Sequence, residues 1–302
     1  MKANSKFNTL KKRYSRIKNL KIKDSKNKKV IKTVEPSLYK TWEIVEYKKP
    51  YFKNPIIIEG MPGIGNVGKI SMDVLIEQTK AELIMSFFSN QMPSSVFVTE
   101  DNLIALPEIS LYYKRIKNKD FLFLTGDVQP ITEQSSYEFS QLIVELFKKM
   151  NGEYIITLGG IGLNYIPEKP KVYLTGNDAN FVSTVSMRMN KKNLKHERKI
   201  YGLIGPILGV SGLLLGVSMK NNVKAYSLLA ETFGHPIFIG LDGAKAILHI
   251  INNYYALNIN FDKLDNEIKR LEAQIKGLNI DDKESKDGLH KYSGYSDVNY
   301  IG

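Results

Sequence analysis

The chain has 302 residues and no cysteine, which excludes disulfide bonds, thiolate catalysis and zinc sites built on cysteine. The net charge is +12, and residues 1–40 hold that whole excess, with 14 Lys and Arg against Asp24 and Glu35. Of the 43 basic and 31 acidic residues in the chain, 29 of each sign lie beyond residue 40. A uniformly basic folded surface, typical of nucleic-acid-binding domains, is therefore excluded.

The first segment, residues 1–38, is rich in Lys, Asn and Ser and poor in apolar residues. This composition predicts a disordered basic arm. The arm either binds an acidic partner such as RNA weakly or is a solvated extension, and we favour the extension. No apolar segment follows the first charges, so we expect no secretory signal and a cytoplasmic protein.

Residues 55–71 organise the rest of the chain. The β-branched residues 56–58 predict a short strand buried on both faces, and the glycines that follow predict a tight turn. Helical spacing then begins at once, with an apolar stripe made of Val67, Ile70, Val74 and Leu75. Strand, turn and helix in this order are the opening unit of an α/β domain.

The turn fits two phosphate-binding motifs incompletely. Gly63, Gly65 and Gly68 spell G-x-G-x-x-G, but the next strand lacks the acidic residue that would hold a ribose. Gly63 to Lys69 also fits most of a phosphate loop, in which Ile70 replaces the Ser or Thr that binds magnesium. A structural turn, with Gly63 at positive φ and the helix close to the sheet, is the interpretation that we favour.

The middle of the chain alternates between strands and helices. Thr132 is a suitable N-cap for a strongly amphipathic helix that ends before Gly152. The three short strands that end at residue 116 predict a meander. Strands are predicted over residues 83–88, 95–99, 103–106, 109–116, 120–125 and 154–158, the last of them ending at Gly159.

An uncharged run, residues 200–219, is long enough to span a bilayer. It contains Pro206 and five glycines and lies within an α/β alternation, so we predict no membrane span. We expect instead a short strand that ends at Gly205 and a buried helix over 208–218. The flanking elements are predicted as a strand at 171–175, a helix at 177–190, a strand at 223–231 and a helix with Asp242 as N-cap.

The end of the folded part carries a heptad pattern. Its members are spaced by four and three residues and predict a helix that packs on the body or joins a subunit contact: Leu264, Ile268, Leu271, Ile275 and Leu278. Residues 279–302 are polar again and predict a flexible tail. We therefore expect one α/β domain over 39–278, between the arm and the tail.

No reaction centre is assembled by the sequence. The four histidines are scattered and predict no metal site: His196, His235, His249 and His290. We interpret His249 as a core histidine of an apolar helix. No catalytic residue and no cofactor are predicted.

Several stretches, taken in order, resemble the proteasome assembly chaperone family in its archaeal homologues. They are IEGMPGIGNVG at 58–68, GDVQP at 126–130, TLGGI at 157–161, GPILGVSGLL at 205–214, SLLAET at 227–232 and DGAKA at 242–246, followed by the heptad helix. The resemblance covers about residues 42 to 278. It implies a three-layer α/β sandwich similar to the purine nucleoside phosphorylases, self-assembly into a small ring or tetramer, and no established catalysis.

The resemblance also implies a partner, the α-subunits of the proteasome core particle. Family members dock through a C-terminal hydrophobic–Tyr–any tripeptide, and here Tyr300 stands third from the end, followed by Ile301 and Gly302. We expect these three residues to bind the partner. The alternative function is a nucleoside phosphorylase-like or nucleotide-dependent enzyme that uses the turn from Gly63 to Lys69 for phosphate.

Overall fold

The computed structural model describes residues 32–33, 41–99, 101–203, 205–236, 238–262, 264–266 and 268. The tail at 279–302 and most of the arm lie outside these residues, so the flexible tail and the disordered arm stay predictions. Within the arm, Lys32 and Thr33 form a short strand that pairs antiparallel with Glu46 and Val45.

The chain combines eleven described strands with five described α-helices. The strands are β1 Lys32–Thr33, β2 Glu43–Glu46, β3 Ile56–Glu59, β4 Glu82–Phe88, β5 Phe97–Val98, β6 Ile104–Ala105, β7 Ile109–Ile116, β8 Lys119–Gly126, β9 Tyr154–Leu163, β10 Val172–Gly176 and β11 Ala225–Phe233. The helices are α1 Val67–Thr79, α2 Glu133–Lys149, α3 Ala179–Lys191, α4 Gly209–Lys220 and α5 Leu241–Tyr255, and a 3-10 turn, Ile64–Asn66, precedes α1.

Nine strands form a mixed sheet in the order β1-β2-β4-β7-β8-β3-β9-β11-β10. Its centre is parallel, because β3 pairs in parallel with β8 and β9, and β9 pairs in parallel with β11. Antiparallel strands extend the sheet on both sides. The carboxyl ends of the central strands lie at one edge, which we call the carboxyl edge, and their amino ends lie at the amino edge. All four residues of β3 are buried, as the sequence predicted.

Helices cover both faces of the sheet. On one face, α1, α3 and α5 pack over Ile56 and Phe123 in the larger core. On the other face, α2 and α4 pack over Ile57 and Leu122. Neighbouring residues of one strand enter opposite cores, as the period of two requires. The predicted α/β class with helices on both faces is confirmed, and the resemblance to purine nucleoside phosphorylases stays a prediction.

The amphipathic helix α2 begins directly after Thr132, the residue that the sequence predicted as its N-cap. The hydroxyl oxygen of Thr132 accepts a hydrogen bond from the backbone N–H of Ser135 at 3.1 Å. This bond satisfies one of the amide groups that have no partner within the helix. Strands β4, β7 and β8 also lie within a residue of their predicted bounds.

The prediction that a strand ends at Gly159 was wrong, because β9 continues to Leu163. β9 pairs with β11 as far as Leu163 and Phe233. Gly160 has no room for a side chain, since a Cβ atom there would lie 2.4 Å from the carbonyl oxygen of Ile64. Gly160 is therefore a strand residue over which the turn before α1 packs closely.

The predicted meander is only partly correct. β7 joins the main sheet between β4 and β8, whereas β5 and β6 pair with each other in a separate two-stranded sheet. The backbone N–H of Thr99 donates to the carbonyl oxygen of Leu103 at 2.7 Å, and Asn102 adopts the left-handed conformation with φ of 57°. The result is a hairpin that stands apart from the main sheet.

The short strand predicted before Gly205 is absent from the described residues 198–203. Ile200 and Leu203 pack instead against Ile161 and Leu229, so this segment covers the sheet as a loop. The uncharged run that follows contributes α4, which is buried between α2 and the sheet. Within the described part of the chain, no helix is long and apolar enough to cross a membrane.

Two predictions on α5 were wrong. The N-cap of α5 is Gly240, and Asp242 lies in the first turn, where its negative charge suits the positive end of the helix dipole. His249 is exposed on the outer side of the helix, where its ring stacks on Phe261 with 4.1 Å between ring centroids. It is therefore not a core histidine.

The chain beyond α5 returns to the larger core. Leu264 and Ile268, the first two positions of the predicted heptad pattern, are helical and buried against the residues of α1 and α5. Asp265 pairs with Lys245 of α5 at 2.5 Å. The remaining heptad positions lie outside the described residues, so the full heptad helix stays a prediction.

Candidate interaction surface

The glycine turn joins β3 to α1 at the carboxyl edge. Gly65 has φ of 60° and Asn66 has φ of 52°, so these two residues, in the left-handed region, reverse the chain. Gly63 is extended, with φ of −160°, so the expected positive φ at this residue was wrong. Sequence spacing alone did not identify which glycine needs its conformational freedom.

Close packing explains Gly68, the last glycine of the motif, and Gly60, which precedes the motif. A Cβ atom on Gly68 would lie 2.3 Å from the carbonyl oxygen of Leu158 in β9. A Cβ atom on Gly60 would lie 2.4 Å from the carbonyl oxygen of Gly68. Helix α1 therefore approaches the sheet at a distance that only glycine permits, which supports the structural interpretation of the turn.

The lysine of the motif is paired within its own helix. The ammonium group of Lys69 donates to Asp73, one turn along α1, and 13% of its side chain is exposed. The carbonyl oxygen of Gly65 accepts from the N–H of Gly240 at 2.8 Å. The turn therefore packs against the start of α5. Separately, the lysine of the motif already has an anionic partner, Asp73.

A buried carboxyl group lies directly before this turn. The Glu59 side chain is fully buried, and its Oε1 accepts hydrogen bonds from the Ser211 hydroxyl at 3.0 Å and the Met61 N–H at 3.1 Å. Burial raises the pKa of Glu59 to about 8, although both hydrogen bonds lower it. Glu59 is therefore neutral at physiological pH and is inaccessible to a substrate. Its one signal in the sequence is that an acidic residue ends an apolar strand.

Among the described residues, the hairpin of β5 and β6 exposes several apolar side chains, and we call its residues 95–99 and 101–106 the hairpin arm. Because Val98 and Ile104 are directly opposite in the ladder, residues two positions away lie on the same face. Four aliphatic side chains on that face are each between 51% and 73% exposed: Val96, Val98, Ile104 and Leu106. Sequence analysis predicted the strands but missed their exposure.

Further exposed apolar side chains lie on the neighbouring loops of the carboxyl edge. They follow β8 and β9 or precede α4: Ile131, Tyr165, Ile166, Tyr201 and Leu208. Together with the hairpin arm we call this surface the apolar edge. Monomeric proteins rarely leave large apolar patches in water, so this surface is a candidate for protein binding.

Hydrogen bonds hold the loops of the apolar edge in place. The N–H of Ile131 donates to the carbonyl oxygen of Gln91, which links the base of the hairpin arm to the loop before α2, at 3.4 Å. The Gln129 amide donates to the carbonyl oxygen of Pro62 at 2.6 Å and accepts from the N–H of Val210 at 2.9 Å. The surface is therefore supported by the glycine turn and the start of α4.

The tail residues predicted to bind a partner, Tyr300, Ile301 and Gly302, lie outside the described residues. Among the described residues, no group of three or more His, Asp or Glu is placed to hold a metal ion. Polar side chains such as Asn164 and Glu168 are also exposed on the loops of the carboxyl edge, beside the side chains of the apolar edge. The arrangement is suited to binding another protein.

Solved structures with this fold include two from Pyrococcus furiosus. PbaB, an archaeal proteasome activator, is 27% identical and has a TM-score of 0.73, over 79% of this chain and 99% of that chain. PbaA, an archaeal homolog of proteasome-assembly chaperone, is 25% identical and has a TM-score of 0.64, over 83% of this chain and 97% of that chain.

Sequence comparisons identify relatives and a family. The uncharacterized protein MJ1210 of Methanocaldococcus jannaschii is 28% identical over 251 residues, which cover 83% of this chain and 93% of the relative. The model of the PAC2 family matches residues 57–279, from β3 through the predicted heptad helix. Since this match spans well over half of the sequence, the chain belongs to the PAC2 family.

Proposed function

We propose that this chain is a proteasome assembly chaperone-like protein that binds the proteasome core particle or its α-subunits. The observation that carries the proposal is its likeness to PbaB and PbaA over nearly the whole length of both. The apolar edge supports a binding role, because it offers exposed apolar surface where an α/β enzyme would hold its substrate.

The apolar edge is the contact between copies of this chain in a homo-oligomer. A two-stranded hairpin is marginally stable alone in water, and here its outer face is aliphatic. Burying a Val, Leu or Ile side chain contributes about 1.5–3 kcal/mol, so four such side chains give a strong driving force for association. A second copy offers the same aliphatic face, as the symmetric interfaces of homo-oligomers require.

The C-terminal tail is the contact with the proteasome. Tyr300 and Ile301 supply apolar surface, and the terminal carboxylate of Gly302 supplies an anion for a basic pocket between α-subunits. A short segment of this kind binds weakly by itself because it loses conformational entropy on binding. An oligomer presents several tails, and linked binding events raise the effective concentration.

Co-purification with recombinant core particles tests the proposal. The full-length chain should be retained by immobilised core particles, and a chain that ends at Tyr295 should be retained far less. The two proteins should have the same oligomeric state and the same unfolding temperature. Equal retention of both would move the contact to the body, and no retention of either would refute binding to the core particle.

A further inference from the structure

A cavity lies at the amino edge, which is the opposite edge of the sheet from the apolar edge. Its volume is about 510 Å³, within the range of roughly 300–1,000 Å³ for small-molecule sites. The turn between β7 and β8, the start of β9 and the ends of α3 and α5 form its walls. None of these segments belongs to the glycine turn.

The cationic residues of this cavity outnumber its acidic ones. Five basic side chains line it, and among the described residues no carboxylate does: Lys117, Lys119, Arg188, Lys191 and Lys192. Lys119 has Glu153 as a partner at 3.8 Å, and Lys192 donates to the last carbonyl oxygens of α5. For Lys117, Arg188 and Lys191, the described part of the chain offers no ion-pair partner. Arg188 and Lys191 are neighbours on one helical face, where like charges repel, so an anion bound here would relieve that repulsion.

The inner wall of the cavity is aromatic. Tyr254 packs edge-on against Tyr255, with 4.8 Å between ring centroids, and Tyr255 packs edge-on against Phe121 at 5.1 Å. The hydroxyl of Tyr255 is hydrogen-bonded to those of Tyr154 at 2.9 Å and Tyr226 at 3.2 Å. These bonds fix the wall and leave the half-buried Tyr254 ring as a surface on which a flat ring can stack.

We propose that the cavity binds a nucleoside phosphate, with its phosphates against Arg188 and Lys191 and its base against the Tyr254 ring. Arginine and lysine are the side chains that recognise phosphate oxygens, and tyrosine rings stack on bases of any sequence. A ligand of this class combines the multiple negative charges and the flat ring that the two walls require. This site differs from the phosphate loop that the sequence suggested, because it lies at the other edge of the sheet.

Fluorescence titration of the full-length protein with N-methylanthraniloyl-ADP tests the proposal. Arg188→Ala with Lys191→Ala should weaken binding about tenfold or more, since each change removes a charge-assisted contact. The matched control, Lys195→Ala with Lys199→Ala, removes the same charge from the adjacent exposed loop and should change affinity less than twofold. The basic arm is identical in both proteins, so its attraction for anions cancels.

Two competitors test the basic wall and the aromatic wall of the cavity separately. Unlabelled ADP should displace the probe, and Tyr254→Leu should weaken ADP several-fold while leaving displacement by pyrophosphate nearly unchanged. Loss of binding in Lys69→Ala, with the Arg188 and Lys191 variant unaffected, would place the site at the glycine turn and overturn the proposal. It would also be overturned by no binding of the probe, or by a single-stranded oligonucleotide that binds through Arg188 and Lys191 where ADP does not.

Discussion

Glu59 places a carboxyl group in the core of the fold, where an ionised side chain is unfavourable. Its Oε2 and the hydroxyl of Thr157, its neighbour in the β3–β9 ladder, have no hydrogen-bond partner among the described residues. The Ser211 hydroxyl reaches Oε1 from α4, so the carboxyl group joins the central strand to a helix. An ionised carboxylate at this place would lack water and a cation, which is why burial holds the group neutral.

The buried carboxyl group makes stability depend on pH in a defined direction. In the unfolded chain Glu59 ionises near its ordinary pKa of 4.5, whereas in the folded chain its pKa is about 8. The folded state therefore keeps a proton that the unfolded state loses. The contribution of the buried Glu59 to the free energy of unfolding is fully present below pH 4.5 and is lost as the pH rises to 8. Across that window the free energy of unfolding falls by up to about 1.4 kcal/mol per pH unit.

Glu59→Gln should remove this dependence. Glutamine keeps an Oε1 acceptor for Ser211 and Met61, and it has no ionisable group. We expect the variant to melt at a higher temperature than the natural protein at pH 8 and to differ little from it at pH 4.5. Calorimetry at pH 4.5, 6 and 8 measures both curves. If the difference in melting temperature between the variant and the natural protein is the same at all three pH values, Glu59 does not titrate in this window.

Two helical glycines make a matched test of the packing between α1 and the sheet. A Cβ atom on Gly68 would lie 2.3 Å from a backbone oxygen of β9, whereas one on Gly216, in the exposed part of α4, meets nothing within 4 Å. Gly68→Ala should therefore lower the free energy of unfolding by about 1–3 kcal/mol through overpacking. Gly216→Ala should raise it by up to about 1 kcal/mol, because alanine is the better helix former. Denaturant unfolding measures both, and a Gly68→Ala protein as stable as the natural one would show that α1 can move.

At the scale of elements, the sequence predicted what is local and missed what is tertiary. The cap at Thr132 and the buried strand β3 follow from neighbouring residues, and both were correct. β9 passes through Gly159 and Gly160 because β11 pairs with it there, and no nearby residue signals that partner. The hairpin arm has the alternation of any strand pair, so its pattern could not show that the aliphatic face is left exposed by the described part of the chain.

The hairpin arm as a whole can be tested by changing the chemistry of its outer face. Val98→Lys combined with Ile104→Glu places an ion pair across the two strands, so the hairpin keeps its pairing while the face becomes polar. We expect the oligomer to dissociate into folded monomers, which size-exclusion chromatography with light scattering measures. Tyr51→Lys is the matched control, because that side chain is 85% exposed and lies before β3, at the amino edge. An unchanged mass in the hairpin variant would show that the oligomer forms through another surface.

At the scale of the whole molecule, the two edges of the sheet have different chemistry. The carboxyl edge carries the exposed apolar side chains that we propose as the contact between copies, while the amino edge holds a basic cavity lined with tyrosine rings. Parallel central strands separate these surfaces by the full height of the sheet. An oligomer built on the carboxyl edge therefore leaves the amino edges open, and a bound anion there would not compete with assembly.

If the C-terminal tail is the contact with the proteasome, as proposed above, binding should depend on the number of tails that one particle presents. The monomeric hairpin variant keeps the natural C-terminus, and it should bind core particles at least about a hundredfold more weakly than the oligomer, because linked binding multiplies affinity by roughly 10²–10⁴. Tyr300→Ala, or one residue appended after Gly302, should reduce binding by a similar factor while the mass of the oligomer stays the same. Surface plasmon resonance on immobilised core particles measures these affinities, and light scattering verifies the mass of each protein. If the monomer binds as tightly as the oligomer, each contact acts alone and the symmetric assembly serves another purpose.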